Sequence, residues 1–267
     1  MLTLYKIPSQ EHCEKFKIKS NELLKYANLN LCSGLLERGG GVKKIELSII
    51  NEEACVMIYI DVIDVMGAGV AVKVAEGIKI EVERILNINV LMCTPSNLTP
   101  ERVTFSMFTL DIGFDNISLN DAKNIVQAYH ISKSNIFRAI THNKGIMNGV
   151  SAIALATGQD SRALEASCHS WSQWKNKSYL PLSGYKIIEK TNQLQGWIEL
   201  PLSVGIAGGS IKKSKFYTSN LEFMKAETSK DLAQIMASIG LAQNFAALLA
   251  LVTNGVSYGH EKLKVRT

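Results

Sequence analysis

The feature that most constrains this chain is a change of hydrophobic pattern part-way along its length. Up to about residue 110, β-branched residues gather in short runs, whereas from Ser118 onward apolar residues recur at helical spacing in long segments. Residues 42–49 and 54–63 flank the polar turn Ile50-Asn51-Glu52-Glu53 and predict an antiparallel hairpin. Residues 88–93 and 102–110, split by a loop with Pro95 and Pro100, read as two further strands. An amphipathic helix is predicted over 12–28, the Arg38-Gly39-Gly40-Gly41 turn breaks the pattern, and helical spacing returns over 67–86. The expectation is an α+β chain with mostly local, antiparallel pairing, divided into 1–110 and 111–267.

In the second half, Ser118 and Asn120 are candidate caps for a helix carrying Ala122, Ile125, Val126 and Tyr129 on one face. Helices are also predicted over 144–156, 161–174, 230–239 and 241–253, with a hairpin from 185–191 and 196–200. With 46% hydrophobic residues in 267, the chain can bury a substantial core and is no disordered tail. The net charge of +5 comes from scattered cations and short clusters such as Lys212-Lys213-Ser214-Lys215, which read as solvated faces. Such cations suit an anionic substrate better than nucleic acid.

Five widely spaced cysteines without a C-x-x-C pair or a signal peptide fit reduced thiols in a cytoplasmic protein. The apolar stretch 240–252 is interrupted by Gln243 and Asn244 and is too short to span a bilayer, so no membrane association is expected. His12, His130, His142 and His169 show no metal-ligand spacing, and no metal site is expected.

The most informative stretch for chemistry is Thr141-His142-Asn143-Lys144-Gly145-Ile146-Met147-Asn148-Gly149-Val150. It reads as a helix entrance carrying a cation, an amide and two glycines, and a lysine held there can stabilise an oxyanion. Sixteen positions on, Asp160 offers a carboxylate that could fix the ammonium, although an aspartate before Ser161-Arg162-Ala163-Leu164 is equally a natural helix N-cap. Asp64 is ambiguous in the same way ahead of the helix at Gly67. His142, beside the lysine, reads as a structural hydrogen-bonding residue. The glycines at 67 and 69 lack the final glycine of a Rossmann fingerprint, so a nucleotide would be held by a different fold.

Five segments in order carry a resemblance: Asp64-Val65-Met66-Gly67-Ala68-Gly69; Ser96-Asn97-Leu98; the lysine segment with Arg138 ahead of it; Val204-Gly205-Ile206-Ala207-Gly208-Gly209; and Gly240-Leu241-Ala242-Gln243-Asn244 leading to Gly259-His260. Together they resemble the hydroxymethylglutaryl-CoA reductase (HMG-CoA reductase) family, in its soluble class II form. The resemblance implies a small ferredoxin-like dinucleotide domain over 1–110 and a partial, mainly helical substrate domain over 111–267. It implies NADPH or NADH as cofactor, HMG-CoA, mevalonate and CoA as ligands, a role in isoprenoid synthesis, and a homo-oligomer such as a dimer whose sites form between two subunits.

By the same resemblance, Lys144 stabilises the oxyanion, Asp160 is the catalytic aspartate, and His260 protonates the departing CoA thiolate, a task suited to a group titrating near neutrality. Arg138 and Asn148 hold the hydroxymethylglutaryl group, with Asn97 nearby, a guanidinium being able to grip a carboxylate in a fork. Asp64, Met66, Gly67 and Ala68 belong to the cofactor site, the small residues permitting close backbone approach. Family members also carry a Glu-Asn-x-x-Gly type motif ahead of these segments and a helical flap after the Gly-His pair. No Glu-Asn pair occurs in the 267 residues, and Gly69 stands where relatives have asparagine. The chain is therefore expected to lack both pieces and to be impaired alone; the alternative is a non-catalytic subunit that binds CoA ester or nucleotide, or that needs a partner chain.

Overall fold

A computed structural model describes residues 1–114, 117–209 and 211–255. The chain divides into two compact units, Met1–Ser96 and Asn97–Thr267. The first contains β1 (Leu2–Leu4), α1 (Gln10–Tyr26), α2 (Ser33–Leu36), β2 (Gly41–Ile50), β3 (Glu53–Asp61), α3 (Ala68–Leu86) and β4 (Val90–Cys93). Its sheet has the order β2-β3-β1-β4 with every pair antiparallel, which is the ferredoxin-like arrangement expected from the resemblance. Helix α1 contributes Phe16 and Leu23, and α3 contributes Val74, Ile78, Val82 and Ile85, to one core with Leu2, Val42, Ile45, Val56 and Val90 of the strands.

Two local details of this unit differ from the sequence reading. The hairpin turns on Asn51 and Glu52 alone, both at positive φ, instead of on four residues. Two consecutive left-handed residues match the twist of paired strands, which is why such turns are short. The three-residue β1 lies centrally in the sheet, too short for any alternation to announce it.

The second unit contains β5 (Val103–Asp111), α4 (Leu119–Ser134), α5 (Ile136–Ala156), α6 (Ser161–Asn176), β6 (Ser183–Ile188), β7 (Gln193–Pro201), α7 (Lys215–Phe223) and α8 (Ser229–Val252). Its antiparallel sheet runs β5-β7-β6. The boundary expected after residue 110 thus falls at Ser96 and Asn97, because β5 pairs along its whole length with β7, from Val103 opposite Pro201 to Asp111 opposite Gln193. A strand belongs with the partner that satisfies its backbone, and that partner is distant in sequence.

Helix α8 replaces the two helices expected over 230–239 and 241–253. Gly240 does not break it; a Cβ there would meet Val150 Cγ2 at 3.0 Å and Ile146 Cγ2 at 3.2 Å, so the glycine lets α8 approach α5. As one 24-residue helix, α8 is long and apolar enough to cross a membrane by length and composition, unlike the shorter stretch read from sequence. Leu232, Met236, Ala237, Leu241 and Leu248 of α8 are buried in the core of this unit.

Candidate active site

Helix α5 begins eight residues earlier than the lysine segment suggested. Asn135 caps it, its side-chain oxygen accepting from Arg138 N at 3.2 Å, so Lys144 lies well inside the helix and the N-terminal dipole does not act on it. Lys144 and Asn148 are exposed and, one turn apart, share an outward face. Arg138 is half-buried and stands roughly a third of a turn around the helix from that face. Burial lowers its pKa. The side chains of Lys144, Asn148 and Arg138 have no hydrogen-bond or ion-pair partner among the described residues.

The residues beside Lys144 point the other way, into a polar seam. Asn143 donates from Nδ2 to Leu180 O and accepts at Oδ1 from Leu182 N, both at 2.9 Å. His142 Nε2 lies 2.6 Å from Ser183 Oγ; Ser183 donates to Asn244 Oδ1 at 2.7 Å, and Tyr185 OH donates to the same oxygen at 2.8 Å. Since Ser183 spends its proton on Asn244, it must accept from His142, which fixes the Nε2–H tautomer. The ring's Nδ1 is buried without a partner. Burial, and secondarily the Arg138 guanidinium, pull the His142 pKa from 6.5 down to about 3, so the ring is neutral. His142 is thus a hydrogen-bonding member of this seam. Asn143 and Asn244 were missed as hubs, although a polar residue on the apolar side of a helix was the available signal.

Asp160 caps α6, its Oδ1 accepting from Arg162 N and Ala163 N at 3.1 Å each, with the Arg162 guanidinium at 3.8 Å. It does not pair with Lys144. Ala156, the last residue of α5, lies about 18 Å of helical rise beyond Lys144, and Asp160 begins the returning helix at that far end, where Ser151 of α5 bonds Glu165 of α6 at 2.8 Å. The lysine cannot span that gap. The expected contact within one chain is therefore absent, for a reason that sixteen-residue spacing conceals.

Two of the motifs and the Asp160 turn converge within this unit. Buried Gln159 donates to Gly205 O at 2.8 Å and accepts from Gly205 N at 2.9 Å. Thr99, two residues after exposed Asn97, bonds Ser203 at 2.7 Å, and Arg102 donates to Val204 O at 2.7 Å. The Asn97 loop, the Asp160 cap and the Gly205 loop are thus tied together by residues that sequence reasoning had given no role. A further chain, from Tyr179 OH to His169 Nδ1 at 2.5 Å and from His169 Nε2 to Glu165 at 3.2 Å, was also unforeseen.

In the first unit, Asp64, Met66 and Gly67 occupy the turn between β3 and α3. Gly67, at φ 103°, is the N-cap of α3 and supplies no capping side chain, so Asp64 is not the cap. The first turn of α3 carries no acidic residue, and a Cβ at Gly69 would meet nothing within 4 Å. His260 lies outside the described residues.

Comparison with known proteins matches residues 2–265 to the family described as hydroxymethylglutaryl-coenzyme A reductase. A 3-hydroxy-3-methylglutaryl-coenzyme A reductase of Archaeoglobus fulgidus is 37% identical over 94% of this chain and 58% of its own length. A probable one of Borreliella burgdorferi is 35% identical over 97% of this chain and 61% of its own. A class II enzyme of Streptococcus pneumoniae, solved bound to NADPH in open conformations, superposes on 98% of this chain and 65% of its own, with a TM-score of 0.89 and 32% identity. The chain spans about three fifths of the length of the curated relatives it matches. With its five ordered motifs and both of its units carried on the class II fold, the chain belongs to the hydroxymethylglutaryl-coenzyme A reductase family.

Proposed function

We propose that this chain forms part of an NADPH- or NADH-dependent reductase interconverting HMG-CoA and mevalonate plus CoA, with each reaction centre shared between two copies of the chain. The observation that carries the shared centre is the separation of Lys144 from Asp160 along α5. If both serve one oxyanion, Lys144 must come from one copy and Asp160 from the other. The outward face of α5 supports such pairing, since Phe137 and Leu155 on it are 81% and 65% exposed.

The bound nicotinamide would supply hydride to the thioester carbon, and a second reduced nicotinamide would supply hydride to the aldehyde left when the CoA thiolate departs. In this reading the turn at Asp64, Met66, Gly67 and Ala68 binds the cofactor. Lys144 stabilises the negative charge that develops on the carbonyl oxygen, and Asp160 keeps that ammonium charged and placed. Arg138 grips the free carboxylate of the substrate, with Asn148 and Asn97 hydrogen-bonding around it. His260 donates a proton to the thiolate that leaves when the hemithioacetal collapses.

Subunit complementation tests this. Lys144→Ala and Asp160→Ala proteins are each assayed by nicotinamide absorbance with HMG-CoA, then mixed, unfolded and refolded together. In a two-fold dimer the mixture regains roughly a quarter of the parent rate, because half the dimers are mixed and each mixed dimer holds one intact centre. Where the parent turns over, a mixture no more active than its components refutes the shared centre. The competing reading, a subunit that binds CoA ester or nucleotide without turning it over, predicts calorimetric binding by the parent and no turnover in any arm.

A further inference from the structure

The second unit contains a cavity of about 220 Å3 that neither Lys144, Asn148, Arg138 nor Asp160 lines. Three rings, those of Tyr129, Trp171 and Trp197, share its lining with polar and charged side chains. Trp197 of β7 and Tyr129 of α4 meet edge to face with centroids 6.1 Å apart, and Trp171 of α6 stacks on Trp174 at 5.4 Å. The chain has three tryptophans, and all of them are in or against this one cavity. Trp197 is seated there by Gly184 on the neighbouring strand: a Cβ at Gly184 would overlap the indole at 2.3 Å.

Cations stand over these rings. Lys133 Nζ lies 5.8 Å from the Tyr129 centroid and Lys175 Nζ lies 5.6 Å from that of Trp171. Lys175 is ion-paired with Glu199, which also lines the cavity, whereas Lys133 has no carboxylate partner among the described residues. The cavity therefore presents aromatic rings and, in Lys133, one lining cation without a carboxylate partner; Lys186 Nζ, 5.9 Å from the Trp197 centroid, is not among its lining residues. Its volume is below the 300–1,000 Å3 usual for drug-sized ligands, which limits an occupant to one or two rings.

We propose that this cavity is a binding site for a small planar aromatic monoanion of the aryl carboxylate class. The ring packs against Trp197 beside Tyr129, and the carboxylate pairs with Lys133. Charge and planarity are both required: a neutral ring leaves Lys133 uncompensated, and a saturated ring forfeits the stacking.

Because all the tryptophans report on the cavity, intrinsic fluorescence of the full chain reads occupancy directly and needs no catalytic activity. The probes are benzoate, benzyl alcohol and cyclohexanecarboxylate. Benzoate should quench saturably, with a dissociation constant on the order of a millimolar for so small a ligand, and the other two should bind at least about threefold more weakly. Lys133→Gln, at an exposed position that leaves folding intact, should weaken benzoate by a similar factor, and Trp197→Phe should do so if it melts like the parent. No saturable benzoate response, equal binding of the three probes, or undiminished benzoate affinity in Lys133→Gln would each overturn the proposal.

Discussion

The side-chain amide of Gln159 closes on both backbone groups of Gly205, donating to its carbonyl and accepting from its N–H. This one pairing ties the end of α5 to the glycine loop at 204–209. Both Gly205 groups would be left buried and unpaired by Gln159→Ala, and each such loss costs about 1–3 kcal/mol. The variant should unfold at clearly lower denaturant concentration with an unchanged slope. Gln159→Glu should recover little, because a carboxylate cannot donate to Gly205 O. A midpoint unmoved in either variant would contradict the clamp.

Lys144→Ala should separate activity from stability. Its ammonium is exposed and makes no hydrogen bond or ion pair among the described residues, so the melting midpoint should hold within about 0.5 kcal/mol equivalent. Turnover by the assembled enzyme should fall on the order of a hundredfold or more, as for other lost oxyanion stabilisers. Unchanged turnover in a folded variant would remove Lys144 from the proposed chemistry.

Acid should weaken the fold through His142. The folded ring titrates at about 3 and the unfolded ring near 6.5, so between those values the unfolded state binds a proton that the folded state refuses. Stability is then lost as pH falls through this window, at up to about 1.4 kcal/mol per unit. Other acidic groups titrate too, and the informative measurement is a difference. Comparing the parent with folded His142→Gln by urea unfolding at pH 7 and pH 5, the gap between them should narrow on acidification. Parallel pH profiles would show that His142 is not the responsible group.

Thiol labelling should sort the cysteines. Cys168 is fully buried, and burial together with the Glu165 carboxylate raises its pKa. It should remain unmodified by a maleimide in the native chain and react on unfolding, whereas half-buried Cys13, Cys55 and Cys93 are labelled earlier. Peptide mapping that finds Cys168 modified at the same rate as Cys13 would mean that this core opens readily.

Local signals were legible where their cause was local. Ser118 was read as a cap, and it forms a capping box with Asp121; the hairpin of β2 and β3 was read from its runs of branched residues. What escaped depended on distant partners. The strand β5 was placed with the first unit because nothing near residue 110 announces β7. The start of α5 is read at Lys144, eight residues late, because the true cap, Asn135, sits between two helical patterns with no visible break. Gly240 looked like a helix boundary because its reason for being small, the side chains of Val150 and Ile146, lies on another helix. The Lys144 and Asp160 contact is absent within one chain for the same reason: spacing along a chain does not disclose that a rigid helix keeps its two ends apart.

Aliphatic helices packed side by side are nearly indifferent to rolling, since Leu, Ile and Val substitute for one another without directional preference. The His142, Ser183, Asn244 and Tyr185 seam removes that indifference for α5. A roll of one residue, about 100°, would strand several buried donors and acceptors at about 1–3 kcal/mol each. The azimuth of the helix is thereby keyed from its hidden side. Residues on the opposite, solvent-facing side are free to be chosen for chemistry or for contact with another chain, because none of them is needed to tell the helix which way to face.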